Sequence, residues 1–381
     1  MEFAWTEQDR THRARIRALL ASALPADWPV IARHGPGSRE QTLFSLSFCP
    51  QLAEAGLLVP HWPREWGGQG GTVWEHFILG EEMWAAGEPR GPQYMNVNWI
   101  GPVLMQFGTE AQKARYLPPM AQGRAMWCQG FAEPGAGSDL GSLRTRADRD
   151  GDTYVLNGQK IWTSYAGMAE TCFLLVRIGG EAAGKAGIAV FLVPMDTPGI
   201  EVRAIPSLIG HGDIHEVFFT DVRVPASARL GDAGQGWTII SAALANERVG
   251  IPRYALAQQV LDDMVGLLQQ RAGFADPVVR LRAAEAAAAC DAARLLVYAV
   301  IDARARGIAA EASTARLAVI AADNAVNDFG MEFLPECYHG HGHPALLAHH
   351  ERAIVTGIAA GAAEIQLNLV AQRRLALPKG A

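Results

Sequence analysis

Three spacings of hydrophobic residues follow one another along the 381 residues. Residues 1–125 repeat apolar positions every three or four residues, the period of helices half-buried in a core. Thr6 stands as an N-cap before a run through Ile16 and Leu20, with Glu7 and Asp9 in its first turn. Apolar periodicity resumes over 43–58 and 74–86. Between them VPHWPREWGGQGG (59–71) carries prolines and Gly-Gly pairs that end helices on both sides. GTEAQKARYLPPMAQGR (108–124) opens on a Thr cap and predicts a break at its Pro-Pro pair.

Residues 126–232 change period. Val155, Ile161, 173–176, 188–193 and 217–219 are short β-branched or aromatic runs separated by turn residues. That pattern predicts a small antiparallel sandwich or barrel, closed by DVRVP (221–225) and followed by a glycine-rich linker at 231–236. The remainder is Ala-rich and helical, with long runs at 237–270, 276–306 and 312–334 that suit a four-helix bundle. The predicted class is α+β: an N-terminal helical domain (1–125), a middle β domain (126–232) and a C-terminal four-helix bundle (233–381).

Composition narrows the function. Hydrophobic residues make up 49% and charged residues 19%, which is globular and not disordered. A net charge of −6 argues against a nucleic-acid partner held through phosphates. Cys49, Cys128, Cys172, Cys290 and Cys337 are odd in number and widely spaced, with no C-x-x-C. They predict neither a disulfide framework nor a zinc site, and a reducing cytoplasm is the natural reading. The N-terminus is amphipathic without a signal-peptide core, and no apolar run is long enough for a membrane span. Trp5, Trp28, Trp62, Trp66, Trp74, Trp84 and Trp99 read as core filling. HGHGHPALLAHH (339–350) has His-x-His spacing, yet no carboxylate or cysteine nearby completes a ligand set, so no metal is assigned.

The chemistry concentrates in 126–164. FAEPGAGSDLGS (131–142) is a Gly-rich turn, and NGQKIWTS (157–164) a β-like run. The glycines let backbone N–H groups approach a ligand, Ser138, Thr163 and Ser164 offer hydroxyls, and Trp162 offers a flat apolar face. The set suits a planar cofactor with a polar edge; a plain hairpin with a glycine turn is the alternative. No G-x-G-x-x-G stands at a strand-to-helix turn, which disfavours NAD.

These two segments, at their spacing, resemble the flavin-binding signature of the acyl-CoA dehydrogenase family, and the α–β–α order extends the resemblance over nearly the whole chain. The resemblance implies FAD and the α,β-desaturation of a CoA thioester. It implies that Gln129, Phe131, Ala132, Gly137 and Ser138 hold the flavin on one side and Trp162, Thr163 and Ser164 on the other, with Ser138 also meeting substrate. Many members place a base glutamate in a C-terminal Glu-Gly-Thr turn; here GIAAGAAEIQ (357–366) keeps Gly361, a cofactor contact, but has Ala360 at the glutamate position. Only the Ala360 backbone N–H remains to meet the thioester oxygen there. Members of the isovaleryl-CoA and long-chain types carry the base on the first bundle helix, where this chain has Glu247 followed by Arg248, a substrate contact. An ion pair between the two is the bland alternative. Pro252 predicts a kink just beyond them. Arg271 and Phe274 match part of a cofactor motif that acts across a subunit interface, although Ala275 and Arg282 depart from it.

The resemblance further implies an electron-transfer flavoprotein as acceptor and a homo- or hetero-oligomer, a dimer of dimers. Two alternatives stand beside the dehydrogenase: a partner subunit of a heterotetramer with little activity alone, and a flavin oxidase or monooxygenase on the same fold. A carrier-protein thioester stands beside CoA, and fatty or sterol side chains are both open as the acyl group.

Overall fold

Helix α1 (Glu7–Ala23) starts where Thr6 Oγ1 accepts from the Asp9 N–H and Asp9 accepts from the Thr6 N–H, a reciprocal capping box. The computed structural model describes residues 4–32, 35, 37–208, 214–247, 252–271, 273–308, 310, 312–339, 342–359 and 361–378. It continues through α2 (Trp28–Ala32), α3 (Arg39–Glu54), α4 (Val73–Ala85), α5 (Gln93–Met95), α6 (Gly101–Phe107) and α7 (Glu110–Ala121). Strands follow: β1 (Trp127–Gly130), β2 (Arg146–Asp150), β3 (Thr153–Ser164), β4 (Thr171–Arg177), β5 (Ile188–Pro194), β6 (Ile200–Ala204), β7 (Ile214–Pro225) and β8 (Arg229–Leu230). The chain then returns to helices α8 (Gly236–Glu247), α9 (Tyr254–Gln270), α10 (Pro277–Ala305), α11 (Ser313–Phe333), α12 (Pro344–Thr356) and α13 (Ala363–Arg373).

Three expectations need correction. Pro118 and Pro119 do not break α7, which runs on to Ala121. Both fall in the last turn, so the cost is two amide donors close to a terminus and not a lost helix. The expected run 237–270 is two helices, with Pro252 between α8 and α9; a proline there cannot donate to the helix ladder. The β region is not purely antiparallel. Its sheet runs β6-β7-β3-β2-β4-β5-β8, and β1 joins it on β4. β1 and β2 both pair with β4 in parallel, and the β2–β3 hairpin lies within the crossover that leads from β1 to β4.

Packing divides the chain into two compact units. One comprises Met1–Gly35, Gly70–Pro89 and Arg248–Ala381, and its described elements are all helices. In it α9, α10 and α11 pack on one another and on α4 and α12 around Phe77, Tyr254, Val297, Val326 and Phe329. The other comprises Pro36–Gln69 and Arg90–Glu247 and holds the sheet with α3 and α5–α8. Leu156, Leu174, Phe191, Val217 and Phe219 form its sheet core, and α8 lies along β5. Of the tryptophans read as core filling, Trp28, Trp62, Trp84 and Trp99 are buried, Trp5 and Trp74 pack half-buried against the helical core, and Trp66 is only half-buried. All five cysteines are buried and free. Among the described residues no helix is long and apolar enough to cross a membrane.

Candidate functional site

Simple alternation puts Tyr154, Leu156 and Lys160 of β3 on its buried face. The alternation then breaks. Lys160 pairs with Val217 of β7 but Thr163 pairs with His215, so β3 carries one residue more than its neighbour over this interval. Trp162 absorbs the difference: its φ is +56°, in the left-handed region, and its side chain is thrown out to 60% exposure. Thr163 turns back in and is fully buried. The Ile161 N–H donates to Ala132 O at 2.9 Å and ties the bulge to the loop that leaves β1.

That loop is built around Glu133. Its backbone exchanges hydrogen bonds with Ala136 at 2.9 and 3.0 Å, which closes the Pro134-Gly135 turn. Its carboxylate accepts from the Arg144 N–H at 2.6 Å, the Thr145 N–H at 2.9 Å and Lys160 Nζ at 2.8 Å. Lys160 Nζ also donates to Phe131 O at 3.1 Å. Burial alone would raise the Glu133 carboxyl, but the Lys160 ammonium and the three donors outweigh it and hold it below the usual range. Burial lowers Lys160, with Glu133 opposing. Behind the bulge, His215 Nδ1–H donates to Thr163 O at 3.3 Å, and burial lowers this imidazole.

Two buried polar atoms here have no hydrogen-bond partner: Thr163 Oγ1 and Gln129 Nε2. Buried polar groups are nearly always satisfied, so these two have hydrogen-bonding capacity that a ligand could take up. Gly135 and Gly137 point the same way. Neither has a left-handed φ, and a Cβ added at either would meet no protein atom within 4 Å. The fold does not demand glycine there, and the backbone at both positions is open to close approach. With exposed Ser138, half-buried Phe131 and Ala132, and the Trp162 indole, the set fits a flat group with a polar edge and a phosphate tail.

The loop that carries Gln129, Phe131, Ala132, Gly137 and Ser138 is thus joined to the strand that carries Trp162, Thr163 and Ser164 through the Ile161–Ala132 and Lys160–Phe131 hydrogen bonds. Glu247 is the last residue of α8 and half-buried. Arg248 and Ala360 lie outside the described residues. Arg271, Phe274 and Gly361 belong to the helical unit. There Arg271 pairs with Glu336, and Phe274 packs against the helical core. Gly361 has φ +92°, and a Cβ on it would lie 2.4 Å from the buried Gln366 amide, so the turn requires glycine. Glu364 is exposed. Of the histidines at 339–350, His349 Nε2–H donates to Asp323 O at 3.2 Å and His350 Nδ1 meets Asn327 Oδ1 at 2.8 Å, while His341 lies outside the described residues. Among the described residues no three metal-ligating side chains converge. A cavity of about 800 Å³ opens beside Tyr116, Trp127 and Met195; none of the predicted site residues lines it.

Models of the acyl-CoA dehydrogenase N-terminal, middle and C-terminal domains match residues 6–124, 128–222 and 234–375. Acyl-CoA dehydrogenase IpdE1 of Mycobacterium tuberculosis is 38% identical over 277 residues, 71% of each chain. The chain belongs to the acyl-CoA dehydrogenase family. The bovine mitochondrial short-chain specific acyl-CoA dehydrogenase is 33% identical over 335 residues, 84% of this chain and 80% of that protein. Among solved structures, the Tcur3481-Tcur3483 steroid ACAD matches with a TM-score of 0.91 and 30% identity over 100% of both chains. The ChsE4-ChsE5 complex from Mycobacterium tuberculosis matches at 0.88 and 27%, also over 100% of both. Acyl-CoA dehydrogenases are oxidoreductases acting on acyl-CoA, and members of the family are generally flavoproteins.

Within this acyl-CoA dehydrogenase fold, sequence reasoning missed two residues of the cradle. Lys160 stands in phase with Tyr154 and Leu156, and a lysine on a buried strand face requires an anion. Glu133, at the head of the Gly-rich turn, was the carboxylate to look for. His215 gave no such signal, because its place behind Thr163 depends on the bulge.

Proposed function

We propose that this chain is an FAD-dependent acyl-CoA dehydrogenase that converts an acyl-CoA thioester to its trans-2-enoyl thioester. The observation that carries the reading is the cradle, where two buried polar atoms lack protein partners beside an open glycine backbone. FAD bound there supplies N5 as acceptor of the β-hydride. Gln129, Phe131, Ala132, Gly137, Ser138, Trp162, Thr163 and Ser164 hold it. Arg271 and Phe274 are assigned to cofactor contacts across a subunit interface, and Gly361 to the C-terminal turn. Glu247 takes the α-proton. It is a half-buried carboxyl on α8, a residue type suited to accepting a proton. Arg248 and the Ala360 N–H are assigned to the thioester, and Ser138 to both ligands. An electron-transfer flavoprotein is the proposed acceptor, and slow reoxidation of the reduced enzyme by air separates this reading from an oxidase.

The test is Glu247→Gln. The variant should keep its yellow cofactor but lose bleaching by acyl-CoA by about 10²–10⁴-fold; bleaching at the parental rate overturns Glu247 as base. A steroid side-chain thioester is the first substrate to try, because the Tcur3481-Tcur3483 protein is a steroid ACAD.

A second reading has its own support. Two of the structural relatives are named as pairs of chains, and Ala360 removes one base position from this one. The chain would then act as one subunit of a hetero-oligomer. Flavin per chain in protein made alone and made with a candidate partner decides: full loading and turnover alone exclude the reading.

A further inference from the structure

The Phe131 carbonyl accepts from Lys160 Nζ at 3.1 Å, and Lys160 has no exposed surface. This carbonyl therefore looks into the protein. No described peptide bond is cis. In a planar trans peptide the N–H points opposite to the C=O, so the Ala132 N–H faces away from the buried ammonium. Among the described residues it meets no acceptor. The next carbonyl, Ala132 O, is fixed by the Ile161 N–H at 2.9 Å, so the peptide is held from both sides. Glu133 balances the charge of Lys160 at 2.8 Å and is itself anchored by the Arg144 and Thr145 N–H groups. What reaches the loop is thus a directed dipole, positive end toward Phe131 O, and not a net charge. An ammonium on a carbonyl oxygen draws electron density through the amide and makes its N–H a stronger donor.

We propose that Lys160 is a redox-tuning residue. Through the 131–132 peptide it presents a strengthened N–H to an acceptor atom of the bound flavin, and so favours the reduced, more electron-rich form. Lys160 does not touch the cofactor; it acts through the backbone. The inference rests on the flavin reading above.

The experiment is the reduction potential of bound FAD, measured by equilibrium reduction against a reference dye. It compares the parent with Lys160→Met, Lys160→Arg and the double variant Lys160→Met/Glu133→Gln. The double variant covers the case in which Lys160→Met alone strands a buried carboxylate and fails to fold. Both Met variants should lose at least about tenfold of the preference for reduced over oxidised flavin, a fall of about 30 mV for a two-electron couple. Lys160→Arg should stay within about threefold of the parent. A double variant that binds FAD with its preference within about threefold of the parent overturns the proposal. So does an equal loss of affinity for both redox states, which would make Lys160 a clamp and nothing more. If the parent itself takes up no FAD, the flavin reading falls and takes this inference with it.

Discussion

Glu81 and Glu133 are both buried carboxylates, one in each compact unit, and both are saturated. Glu81 accepts from Tyr254 Oη at 2.6 Å and Tyr298 Oη at 2.7 Å and pairs with Arg13 at 2.7 Å. Glu82 beside it takes Arg17 at 2.7 Å and the other arm of Arg13. Burial and the Glu81 charge push both tyrosine hydroxyls up, so they remain donors. This cluster closes on itself and joins α1, α4, α9 and α10. The Glu133 cluster is closed at the carboxylate but open at its edge, where Thr163 Oγ1, Gln129 Nε2 and the Ala132 N–H are left over. Buried charge by itself does not distinguish a scaffold from a site. The two clusters differ in the hydrogen-bonding capacity left over beside the charge.

The comparison can be broken most forcefully at Glu81. Glu81→Leu strips two buried tyrosines of their acceptor and Arg13 of one anion, and should cost ~3–5 kcal/mol of stability by urea unfolding. The cradle should be untouched: FAD affinity per folded molecule should stay at the parental value, and a loss of affinity beyond unfolding would erase the distinction.

Acid should strain both units together. Burial pushes His61, in the sheet unit, and His349, in the helical unit, down to about 4. An unfolded histidine titrates near ~6.5. As pH falls, the unfolded chain binds protons first, so the stability due to each is complete above ~6.5 and lost toward about 4. The loss is on the order of 3 kcal/mol per histidine. Glu133, held below its unfolded value, adds to the loss at the acid end. His349→Gln should flatten the stability profile between pH ~6.5 and ~4 by roughly half; an unchanged slope would place the titration elsewhere.

The smallest effect is the most discriminating. Thr163→Val removes a hydroxyl that is buried without a partner, so the cofactor-free protein should gain about 1 kcal/mol while FAD binding weakens. Stability and affinity moving in opposite directions is what a site residue predicts. A fall in both would make Thr163 part of the scaffold.

Much of this fold was readable one element at a time. Thr6 and Thr109 announce helix starts, and each closes a capping box. Pro252 marks the end of one helix and the start of another. Pro118-Pro119 misleads because what a proline costs depends on how near the helix end it falls. The cradle loop is legible because its glycines and hydroxyls are consecutive. Its second half is less so. Alternation in β3 reads correctly through Lys160 and then fails at Trp162, since the bulge lies in the pairing with β7 and is tied to Ala132 O some thirty residues away, neither of which a local pattern records. The partnership of Glu133 with Lys160 was open to inference from phase alone, because a charged side chain among Tyr154 and Leu156 has to be answered by an opposite one.

The extra residue in β3 also constrains how this gene can change. A strand with a bulge is counted in whole residues, so deleting one residue between Lys160 and Thr163 does not shorten the cradle. It restores plain alternation, keeps Thr163 in phase with Lys160, and takes away the extra residue that throws the Trp162 indole outward. Surface loops elsewhere can lengthen or shrink by single codons with little consequence, but here one codon decides whether the strand carries an outward-facing indole beside the cradle.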